Sequence, residues 1–562
     1  MEFSGKFSLS PIGQIPNERQ FRHYHYKKAF FHFGVNTFTD AEWGNGSERE
    51  TLFNPTALDI GQWMRTIKAA HFDLAIITAK HHDGFCLWPS AYTEHSVKNS
   101  PYKDGKGDII REFVDAAREY HIKVGIYLSP WDRHSPYWGT PEYSVHYAKQ
   151  LKELMTGYGK IDEVWWDGAG SSETVYDWGR WASIVREYQP DAAIFGSMGA
   201  SAYVDLRWVG NEQGHAGETH YAAIDEKYLT KETPKMLNVG NQDGERFIPS
   251  ESDVSIRPGW FYHEEQDNEV KTPAALNKIW FESVGRNSIF LLSFPPDRRG
   301  LICDKDARSA LLSDRAIRQM LAVNYALDAE ITADSVLDGC LPIHAALPDE
   351  DLYYAAEIGR KTCRIDLVWK TPTMFNVLIL GEEIRLGERI NAFVIEDVAE
   401  DGTPTEIFRG SSVGFTRACR LPEKTYTHIR VRVTGAVGEP VLSRLGAYLF
   451  ADVLDAPCPD KKENNLAALP NAKVFFSADK TELTVQFGGI YPFSEVSFTA
   501  AGCSTYRVFA FNGTSWELIA EGKTSFPGER VKSVLSSAVT GSYQVKIISE
   551  GGLEENTLPL IQ

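Results

Sequence analysis

One stretch decides the fold: Ile161-Asp162-Glu163-Val164-Trp165-Trp166-Asp167-Gly168-Ala169-Gly170. Valine and tryptophan are enriched in β-strands, and glycines let the chain leave a strand in backbone conformations that other residues avoid. Asp167 therefore stands at the C-terminal end of a short apolar strand. In a barrel of parallel strands, these ends carry the catalytic side chains. An Asp in this position also commonly forms a turn or caps a helix. The residues at the other strand ends therefore decide whether Asp167 is interpreted as catalytic or as structural.

Around this stretch, residues 1–330 alternate short apolar segments with longer amphipathic ones. We predict eight strands, at Ala29–Val35, Phe72–Thr78, Val124–Leu128, Glu163–Trp166, Ala193–Gly196, Leu206–Gly210, Trp260–Tyr262 and Ser288–Ser293. Helical patterns lie between them, for example at Ile60–Ala70, Asp108–Tyr120, Pro141–Tyr158 and Asp177–Tyr188. Strands that alternate with helices indicate a parallel sheet. Eight of them in about 300 residues predict an α/β fold with a (β/α)8-like barrel, although residues 220–255 read as loop.

From Asp328 onward the pattern changes to short alternating strands separated by turns, which is typical of a β-sandwich. The predicted strands are Phe375–Leu380, Ala392–Glu396, Glu406–Arg409, Val413–Arg417 and His428–Val433, then Lys473–Phe476, Glu482–Phe487, Glu495–Ala500, Tyr506–Phe511, Trp516–Glu521 and Ser542–Ile548. A polar linker at Asp455–Asn465 separates the two sets. We predict a catalytic barrel domain at 1–330, a β-sandwich at 331–455 and a second β-sandwich at 456–562.

Composition excludes several classes of partner. The net charge of −18 over 562 residues argues against nucleic acid and anionic membranes, because binding to both needs clustered Lys and Arg. No apolar run of about 18 residues exists, so no membrane span is expected. The start Met1–Phe7 lacks the pattern of a secretion signal, which predicts a cytoplasmic protein as the chain stands, or a secreted or periplasmic one if a signal was removed. The 14 Trp could pack cores or stack on sugars.

Polar side chains follow the first strand, in the sequence Phe30-Phe31-His32-Phe33-Gly34-Val35-Asn36 and then Glu42-Trp43. A His in an aromatic run is often a core residue whose hydrogen bonds are satisfied internally. At a barrel strand end, however, His and Asn supply neutral donors and acceptors that suit sugar hydroxyls. This strand end is therefore a candidate sugar-binding segment.

The second strand ends in Lys80-His81-His82-Asp83, with Trp88 close behind. Adjacent His and a nearby Asp suggest a metal site, and a metal-dependent barrel hydrolase using His81, His82 and Asp83 or Asp132 stays open. Metal-binding His usually share one face with a spacer between them, whereas adjacent His diverge. The pattern fits a hydroxyl-binding pair at a turn better, and we expect no metal ion.

Two later strands supply the remaining polar groups. The third ends in Ser129-Pro130-Trp131-Asp132-Arg133-His134, and the sixth continues from Trp208 to Glu212. Neighbouring strands are about 4.8 Å apart, so Asp167 and Glu212, two strands apart, could bring their carboxyl groups to about 5–5.5 Å, the separation of a retaining glycosidase pair. Other carboxylates could compete for these roles: Asp132, Glu218, Glu264 and Glu265.

Together these segments resemble glycoside hydrolase family 29, the retaining α-L-fucosidases. The matching segments are Phe31-His32-Phe33-Gly34, Ala79-Lys80-His81-His82-Asp83-Gly84-Phe85, Trp165-Trp166-Asp167-Gly168, Gly285-Arg286-Asn287-Ser288-Ile289-Phe290-Leu291-Leu292 and Pro295-Pro296-Asp297, and they span roughly residues 20–325. The segments Asn376–Leu380 and Ile384–Arg389 look like the galactose-binding-like module that follows the barrel in these enzymes. One departure is Phe33, where many members have Trp.

The resemblance implies roles for the residues above. The segment Trp208-Val209-Gly210-Asn211-Glu212 is similar to the branch that cleaves α-1,3/1,4-linked fucose from Lewis-type glycans, and Glu212 lies 45 positions after Asp167. By resemblance, Asp167 is the nucleophile and Glu212 the acid/base. The implied substrate-binding residues are His32, Asn36, Glu42, Trp43, His81, His82, Trp88, Trp131, His134 and Trp208.

The expected substrate is a fucosylated oligosaccharide or glycoconjugate, and no cofactor is expected. Three alternatives stay open beside this interpretation. They are a broad-specificity fucosidase acting on α-1,2 or α-1,6 linkages, the metal-dependent hydrolase, and a sugar-binding protein without catalysis. The sequence leaves the oligomeric state open.

Overall fold

The protein is described from a computed structural model. The structure describes residues 8–170, 174–196, 199–230, 234–349, 351–451, 467, 472–502, 504–511, 515–524, 530–553 and 559–561.

The N-terminal half contains a closed barrel of eight parallel strands. In chain order these are β1 (Lys28–Phe31), β2 (Leu74–Lys80), β3 (Lys123–Leu128), β4 (Glu163–Trp166), β5 (Ala193–Gly196), β6 (Leu206–Trp208), β7 (Ser250–Ser255) and β8 (Ile289–Ser293). Each strand pairs with its sequence neighbours, and β8 closes the ring onto β1. The C-terminal ends of all eight strands therefore meet at one rim, as the alternation of strands and helices predicts.

Helices alternate with most barrel strands. Their bounds are α1 Glu18–His23, α2 Val35–Thr39, α3 Ile60–Ala69, α4 Ile109–Glu119, α5 Tyr143–Gly157, α6 Trp178–Tyr188, α7 Glu226–Thr230, α8 Pro234–Val239, α9 Pro273–Glu282 and α10 Asp304–Leu321. Helices α3, α4 and α6 are capped in the same way at their N-termini. The side chains of Asp59, Asp108 and Asp177 each accept a hydrogen bond from a backbone N–H of the first turn. None of the described helices combines the length and the apolar character that crossing a membrane requires.

The predicted seventh strand is wrong. Trp260–Tyr262 lies in a loop, and the strand is Ser250–Ser255, within the stretch that reads as loop. All six of its residues are buried although five are polar. Their hydrogen bonds are made inside the protein, as Ser250 Oγ lies 2.8 Å from Nε2 of His220 and Ser252 Oγ lies 2.8 Å from Oγ of Ser288. A rule that looks for apolar runs cannot detect a strand whose polar groups are satisfied by each other.

Strand ends also differ from the predictions at the catalytic rim. The first strand ends at Phe31 rather than Val35, because Val35 already begins helix α2. The second strand runs two residues further than predicted, to Lys80, and the sixth ends at Trp208 instead of Gly210. Glycine at 210 has a φ of +90°, which takes the chain out of the strand.

The barrel interior is apolar in its middle and charged near its N-terminal end. A buried cluster is formed by Phe30, Leu74, Ile76, Tyr127, Trp165, Ala193, Phe195, Leu206, Ile289 and Leu291. Beside it, the ammonium group of Lys28 on β1 binds the carboxyl groups of Glu163 on β4, at 2.7 Å, and of Glu251 on β7. Burial and the neighbouring Glu251 raise the pKa of Glu163 to about 8. We call these three residues the Lys28 cluster.

Antiparallel sheets follow the barrel. The first contains β9 (Ala329–Ala333), β10 (Cys363–Gly381), β11 (Ile390–Val398), β12 (Pro404–Gly410), β13 (Arg417–Ala436) and β14 (Arg444–Tyr448), and the second β15 (Lys473–Phe476), β16 (Glu482–Thr499), β17 (Thr505–Phe511), β18 (Trp516–Lys523), β19 (Arg530–Ser549) and β20 (Leu560–Ile561). The strand predicted at Val413–Arg417 is wrong, since β13 begins only at Arg417. The predicted fold class, a (β/α)8-like barrel followed by all-β regions, is confirmed.

The chain divides into two compact units. The first comprises residues 1–271, 278–303 and 320–450, and the second comprises 272–277, 304–319 and 451–562. The predicted boundary at 330/331 falls within β9, and the linker predicted at Asp455–Asn465 lies outside the described residues. The division into domains at 1–330, 331–455 and 456–562 stays a prediction.

Within the first unit, a buried carboxyl group joins the antiparallel region to the barrel. Glu388 accepts hydrogen bonds from the backbone N–H groups of Ala222 and Ala223, at 2.9 and 3.3 Å, and from the side-chain amide of Asn287, at 2.6 Å. Its side chain is almost fully buried, and this burial raises its pKa above the ordinary value. Glu388 thus satisfies three barrel donors that have no access to water.

Replacing Glu388 by alanine is expected to destabilise the protein by about 3 kcal/mol, because each buried donor left without a partner costs about 1–3 kcal/mol. The midpoint of chemical unfolding, followed by Trp fluorescence, measures the loss. Glu388→Gln keeps one acceptor oxygen and should lose less. Glu400→Ala, at an exposed turn, is the control, and an equal midpoint for Glu388→Ala and Glu400→Ala would contradict the role of Glu388.

Candidate active site

Asp167 lies directly after β4 at the C-terminal rim of the barrel, as predicted. Its Oδ2 accepts a hydrogen bond from the hydroxyl of Tyr127, at 3.1 Å, and lies 3.7 Å from Nε2 of His82. Its Oδ1 accepts the backbone N–H of Ala169 at 2.9 Å. About a third of the side chain is exposed, so the carboxylate is held on both oxygens and is still open to a ligand.

Three histidines lie together beside Asp167. The ring centroids of His81 and His82 are 4.0 Å apart, and those of His32 and His81 are 5.9 Å apart. Serine hydroxyls orient two of the rings, since Nδ1 of His32 lies 2.9 Å from Oγ of Ser293 and Nδ1 of His82 lies 2.7 Å from Oγ of Ser129. Nδ1 of His81 is buried and has no hydrogen-bond partner among the described residues.

The three rings are neutral at ordinary pH. Burial, with a smaller effect from His82, lowers the pKa of His32 to about 3. Burial also holds the pKa of His81 well below its ordinary value, and it lowers that of His82 although the charge of Asp167 acts in the opposite direction. A neutral imidazole has one donor and one acceptor nitrogen. The cluster can therefore both donate to and accept from the hydroxyl groups of a sugar.

Glu212 follows β6 on the loop that leaves Trp208, and it is exposed at the rim. Its Oε2 accepts a hydrogen bond from the indole of Trp260 at 3.2 Å. Desolvation raises the pKa of Glu212, and the charges of Asp167 and Glu42 raise it further, while the bond from Trp260 acts against them. Asp167 and Glu212 follow strands β4 and β6, which end at the same rim of the barrel, and the charge of Asp167 acts on Glu212 there.

Glu42 holds the loop that carries Trp260. Its carboxylate accepts the backbone N–H groups of Trp260 and Phe261, at 2.9 and 3.2 Å, and lies 2.7 Å from Nε2 of His263. The ring of Trp260 is thereby fixed next to His32, with centroids 5.0 Å apart. Glu42 therefore positions an aromatic wall between the histidine cluster and Glu212.

Two further Trp complete the opening of the site. Trp43 packs edge-on against Trp131 at 5.7 Å between centroids, and both contact the ring of His82, at 6.1 and 5.2 Å. Trp43 is 56% exposed, an unusual value for so large an apolar side chain. Such a surface on the rim of a pocket is typical of a binding site.

Three predicted substrate-binding residues are occupied elsewhere. The indole of Trp88 is buried and donates to Glu153 on α5 at 2.9 Å. His134 stacks on His95, with centroids 4.0 Å apart. Asn36 donates to the carboxylate of Asp83 at 3.0 Å. These three side chains help to hold the rim loops in place, and their predicted roles in binding substrate remain untested.

The groups considered for a metal site are engaged with protein partners. Asp132 binds Lys80 at 2.9 Å, and Asp83 accepts the backbone N–H of Phe85 at 2.7 Å in addition to its bond from Asn36. Within the described ranges, no group of three or more His, Cys, Asp or Glu side chains is placed to hold a metal ion.

Two of the other carboxylates considered as competitors of Glu212 lie beside arginines. Glu218 binds Arg286 and Arg417. Glu264 is 78% exposed and lies 3.9 Å from Arg298. Glu265 lies in the same exposed turn, Glu264–Asn268. The charge of Asp167 helps to raise the pKa of Glu212.

Sequence reasoning did not identify Tyr127, Trp260 or Asp253 as site residues. Tyr127 lies inside β3, whose sequence is otherwise mostly apolar, and a hydroxyl near the end of a barrel strand is a usable signal. Trp260 belongs to the incorrectly predicted seventh strand and lies in a loop. Asp253 lies in the true seventh strand, is 4% exposed, and interacts electrostatically with Glu212. The strand error therefore concealed both of the last two.

The site combines the carboxylate of Asp167, which accepts a hydrogen bond from Tyr127, with the carboxyl group of Glu212, whose pKa is raised. Neutral imidazoles surrounded by aromatic rings lie beside them. A pair of this kind can attack an anomeric carbon from one side and protonate a leaving oxygen. The aromatic rings offer apolar faces to a sugar, and the imidazoles offer hydrogen bonds to its hydroxyls.

Comparisons with known proteins agree with this chemistry. Residues 12–314 match the family model described as alpha-L-fucosidase. The chain is 37% identical to alpha-L-fucosidase 1 of Arabidopsis thaliana over 78% of this chain and 88% of that one.

Solved structures extend the similarity to the fold. A protein of Bacteroides thetaiotaomicron assigned as an α-L-fucosidase is 42% identical with a TM-score of 0.77, and the match covers 79% of this chain and 99% of that one. A glycoside hydrolase family 29 fucosidase of Ruminococcus gnavus in complex with fucose is 31% identical with a TM-score of 0.74, over 79% of this chain and 97% of that one.

Proposed function

Since the chain belongs to the α-L-fucosidases of glycoside hydrolase family 29, we propose that it releases α-1,3- and α-1,4-linked L-fucose from Lewis-type glycans with retention of configuration. Hydrolysis of an α-L-fucoside is the activity of the family as a whole. The linkage, the stereochemical course and the residue roles are the proposal. The observation that carries it is that Asp167 and Glu212 follow β4 and β6 at one rim of the barrel, with the charge of Asp167 helping to raise the pKa of Glu212.

The proposed reaction is a double displacement. An oxygen of Asp167 forms a bond to the anomeric carbon while the bond to the leaving oxygen breaks, and the proton of Glu212 moves to that oxygen. Glu212, now ionised, then takes a proton from a water whose oxygen attacks the same carbon. The ester bond to Asp167 breaks, fucose leaves, and both carboxyl groups return to their starting states.

The supporting groups have separate tasks in this proposal. The hydroxyl of Tyr127 and Nε2 of His82 orient the carboxylate of Asp167 for attack. The raised pKa of Glu212 keeps its proton available at higher pH than an ordinary carboxyl group would. His32 and His81 bind fucose hydroxyls through neutral imidazole nitrogens.

The linkage proposal rests on the segment Trp208-Val209-Gly210-Asn211-Glu212 and on the shape of the rim. The exposed face of Trp43 lies beyond the histidine cluster, where the sugar that carries fucose would leave the pocket. A branched acceptor can contact such a surface, and contacts with remote parts of a substrate can stabilise the transition state.

The enzyme is therefore expected to prefer a Lewis trisaccharide over 2′-fucosyllactose by about ten-fold or more in kcat/KM, and to act poorly on simple aryl fucosides. Such a ratio corresponds to about 1.4 kcal/mol of differential transition-state binding. Fucose release from 2′-, 3-, 4- and 6-linked substrates at one enzyme concentration measures it, with the Asp167→Ala variant as the blank. An equal or higher kcat/KM on 2′-fucosyllactose would assign the enzyme to the broad-specificity branch.

A further inference from the structure

The indole of Trp260 is the hydrogen-bond partner of the proposed acid/base. Trp260 lies in the loop that follows β7, and its Nε1–H donates to Oε2 of Glu212 at 3.2 Å. Among the described residues, no other hydrogen bond reaches the side chain of Glu212, which is exposed at the rim. The orientation of this carboxyl group therefore depends on the indole.

The loop that carries Trp260 is held by bonds that do not involve Glu212. The carbonyl of Gly259 accepts the hydroxyl of Ser255 at 2.7 Å, and the backbone N–H of Gly259 donates to Oε1 of Gln266 at 3.0 Å. The backbone N–H of Trp260 donates to Glu42 at 2.9 Å. Because these bonds fix the loop independently, the indole can impose an orientation on the carboxyl group of Glu212.

Glu42 is itself held in place by a histidine. Nε2 of His263 lies 2.7 Å from Oε1 of Glu42, and Nδ1 of the same ring lies 2.9 Å from Oδ1 of Asp40. Burial acts against the charged form of His263, but the bonds to Glu42 and Asp40 outweigh it and raise the pKa of the imidazole. The ring of Trp260 also packs against His32, with centroids 5.0 Å apart. The indole is thus supported from its backbone and from its ring.

The direction of the bond from Trp260 decides which oxygen of Glu212 carries the proton. A protonated carboxyl group has one oxygen that only accepts and one that carries the proton, whereas an indole N–H can only donate. The indole therefore fits best when Oε2 is the accepting oxygen and Oε1 carries the proton. Once Glu212 is ionised, the same N–H stabilises the carboxylate, since a hydrogen bond to the charged form favours that form.

We propose that Trp260 is a positioning residue for Glu212: its indole N–H occupies Oε2, so that Oε1 carries the proton and faces the leaving oxygen. This inference rests on the proposed role of Glu212 as the acid/base. In the first step the proton passes from Oε1 to the leaving oxygen as the bond to the anomeric carbon breaks. In the second step Oε1 takes a proton from the attacking water, and the indole keeps its own proton throughout.

Loss of the indole N–H should change the dependence of the rate on the leaving group. Proton donation matters when the leaving oxygen is a sugar hydroxyl, and matters little when the leaving group is already acidic. A misplacement of about 1 Å can cost about 100-fold in rate. Without the indole N–H, kcat should therefore fall on a natural glycan much more than on an activated fucoside.

Loss of the indole N–H should also move the pH profile. Desolvation raises the pKa of Glu212 and the bond from Trp260 opposes this rise, while the charges of Asp167 and Glu42 add to it. Removing the bond should raise the pKa of Glu212 further. Since Glu212 must be protonated to donate, the decline of kcat/KM at alkaline pH should then begin at a higher pH.

The test uses the full-length enzyme with a Lewis trisaccharide and with dinitrophenyl α-L-fucoside, for which the rate of fucosylation is measured in single turnovers. Trp260→Phe keeps an aromatic ring and removes the N–H. It is expected to lose about 10- to 100-fold in kcat on the trisaccharide and no more than about three-fold on the activated fucoside. The alkaline decline of kcat/KM on the trisaccharide should move to higher pH.

Two further variants test the route through Glu212. The double variant Trp260→Phe with Glu212→Ala should be no slower on the trisaccharide than Glu212→Ala alone, because the indole acts through that carboxyl group. Trp138→Phe is the matched control, since Trp138 lies on the loop after β3 at the same rim and donates its indole N–H to the hydroxyl of Tyr176 at 3.4 Å. Trp138→Phe should leave both rates and the pH profile unchanged.

Each other outcome overturns the inference in a distinguishable way. Equal losses on both substrates for Trp260→Phe would indicate a general structural role, and a raised KM with unchanged kcat would indicate direct contact with the sugar. An alkaline decline that stays in place would show that the indole does not act on Glu212.

Glu212→Ala in the same series separates this inference from the proposed function. If Glu212→Ala shows the leaving-group dependence and Trp260→Phe does not, only the positioning role fails. If Glu212→Ala lacks that dependence, the acid/base assignment fails together with the inference.

Discussion

Replacing Asp167 by alanine or asparagine abolishes turnover while the protein stays folded: this is the largest effect we expect from a single substitution. The covalent route needs an oxygen nucleophile at this position, and its loss should lower kcat by several powers of ten. The aryl fucoside and the Lewis trisaccharide should be affected alike, because both pass through the same ester. Fucose release over long incubations measures the residual rate.

The matched control for Asp167 is Glu264→Ala, which removes an exposed carboxylate of the same rim and should leave kcat within a few-fold. Circular dichroism and the unfolding midpoint verify the fold of both variants. A variant at Asp167 that keeps more than about one hundredth of the wild-type kcat would refute the nucleophile assignment, since a covalent catalyst cannot be so dispensable.

Glu212→Ala should lose several powers of ten in kcat on a Lewis-type glycan, where the leaving oxygen needs a proton. Fucosylation by a fucoside with an acidic leaving group should be much less impaired. The second step would still lack its base, so the ester on Asp167 should accumulate and be visible as a mass increase of the intact protein. Azide needs no base, so it should restore turnover and give fucosyl azide with the configuration of the substrate.

The pH dependence of kcat/KM provides a second test of the role of Glu212. Desolvation and the charges of Asp167 and Glu42 raise the pKa of Glu212, so the acid stays protonated to a higher pH, and kcat/KM falls only once the pH exceeds this raised value. On the activated substrate, Glu212→Ala should lose that alkaline decline. If azide rescues a variant at Glu264, Glu265 or Asp132 instead, the acid/base lies there and the family assignment is unaffected.

The sequence predicts the rim of the barrel better than its interior. Strand β4 is detectable because Val164, Trp165 and Trp166 are all β-formers, and its end is marked by Gly168. Strand β7 is not detectable in this way, since Ser250–Ser255 is polar and becomes buried only because partners from other strands satisfy its hydrogen bonds. The local sequence pattern contains no information about hydrogen-bond partners that lie far away in the chain.

The same limit applies to the candidate site. The sequence brings Asp167, His82 and Glu212 to one rim, because each follows a predicted strand. It does not distinguish Trp43, which is exposed beside His82, from Trp88, which is buried against Glu153. Both are aromatic residues in loops after a strand, and only the packing of α5 decides which one is covered.

The Lys28 cluster has a consequence for folding kinetics. Lys28 and Glu251 are 223 residues apart in the chain, so their ion pair forms late, after a large loss of chain entropy. In a low-dielectric interior these charges are favourable only when all of them are paired, and a lone carboxylate there is costly. A half-closed barrel without β7 leaves Lys28 paired with Glu163 alone, and the cluster is complete only when Glu251 is in place. Closure should be all-or-none, with local helices forming first and the ring of strands completed in one slow, cooperative event.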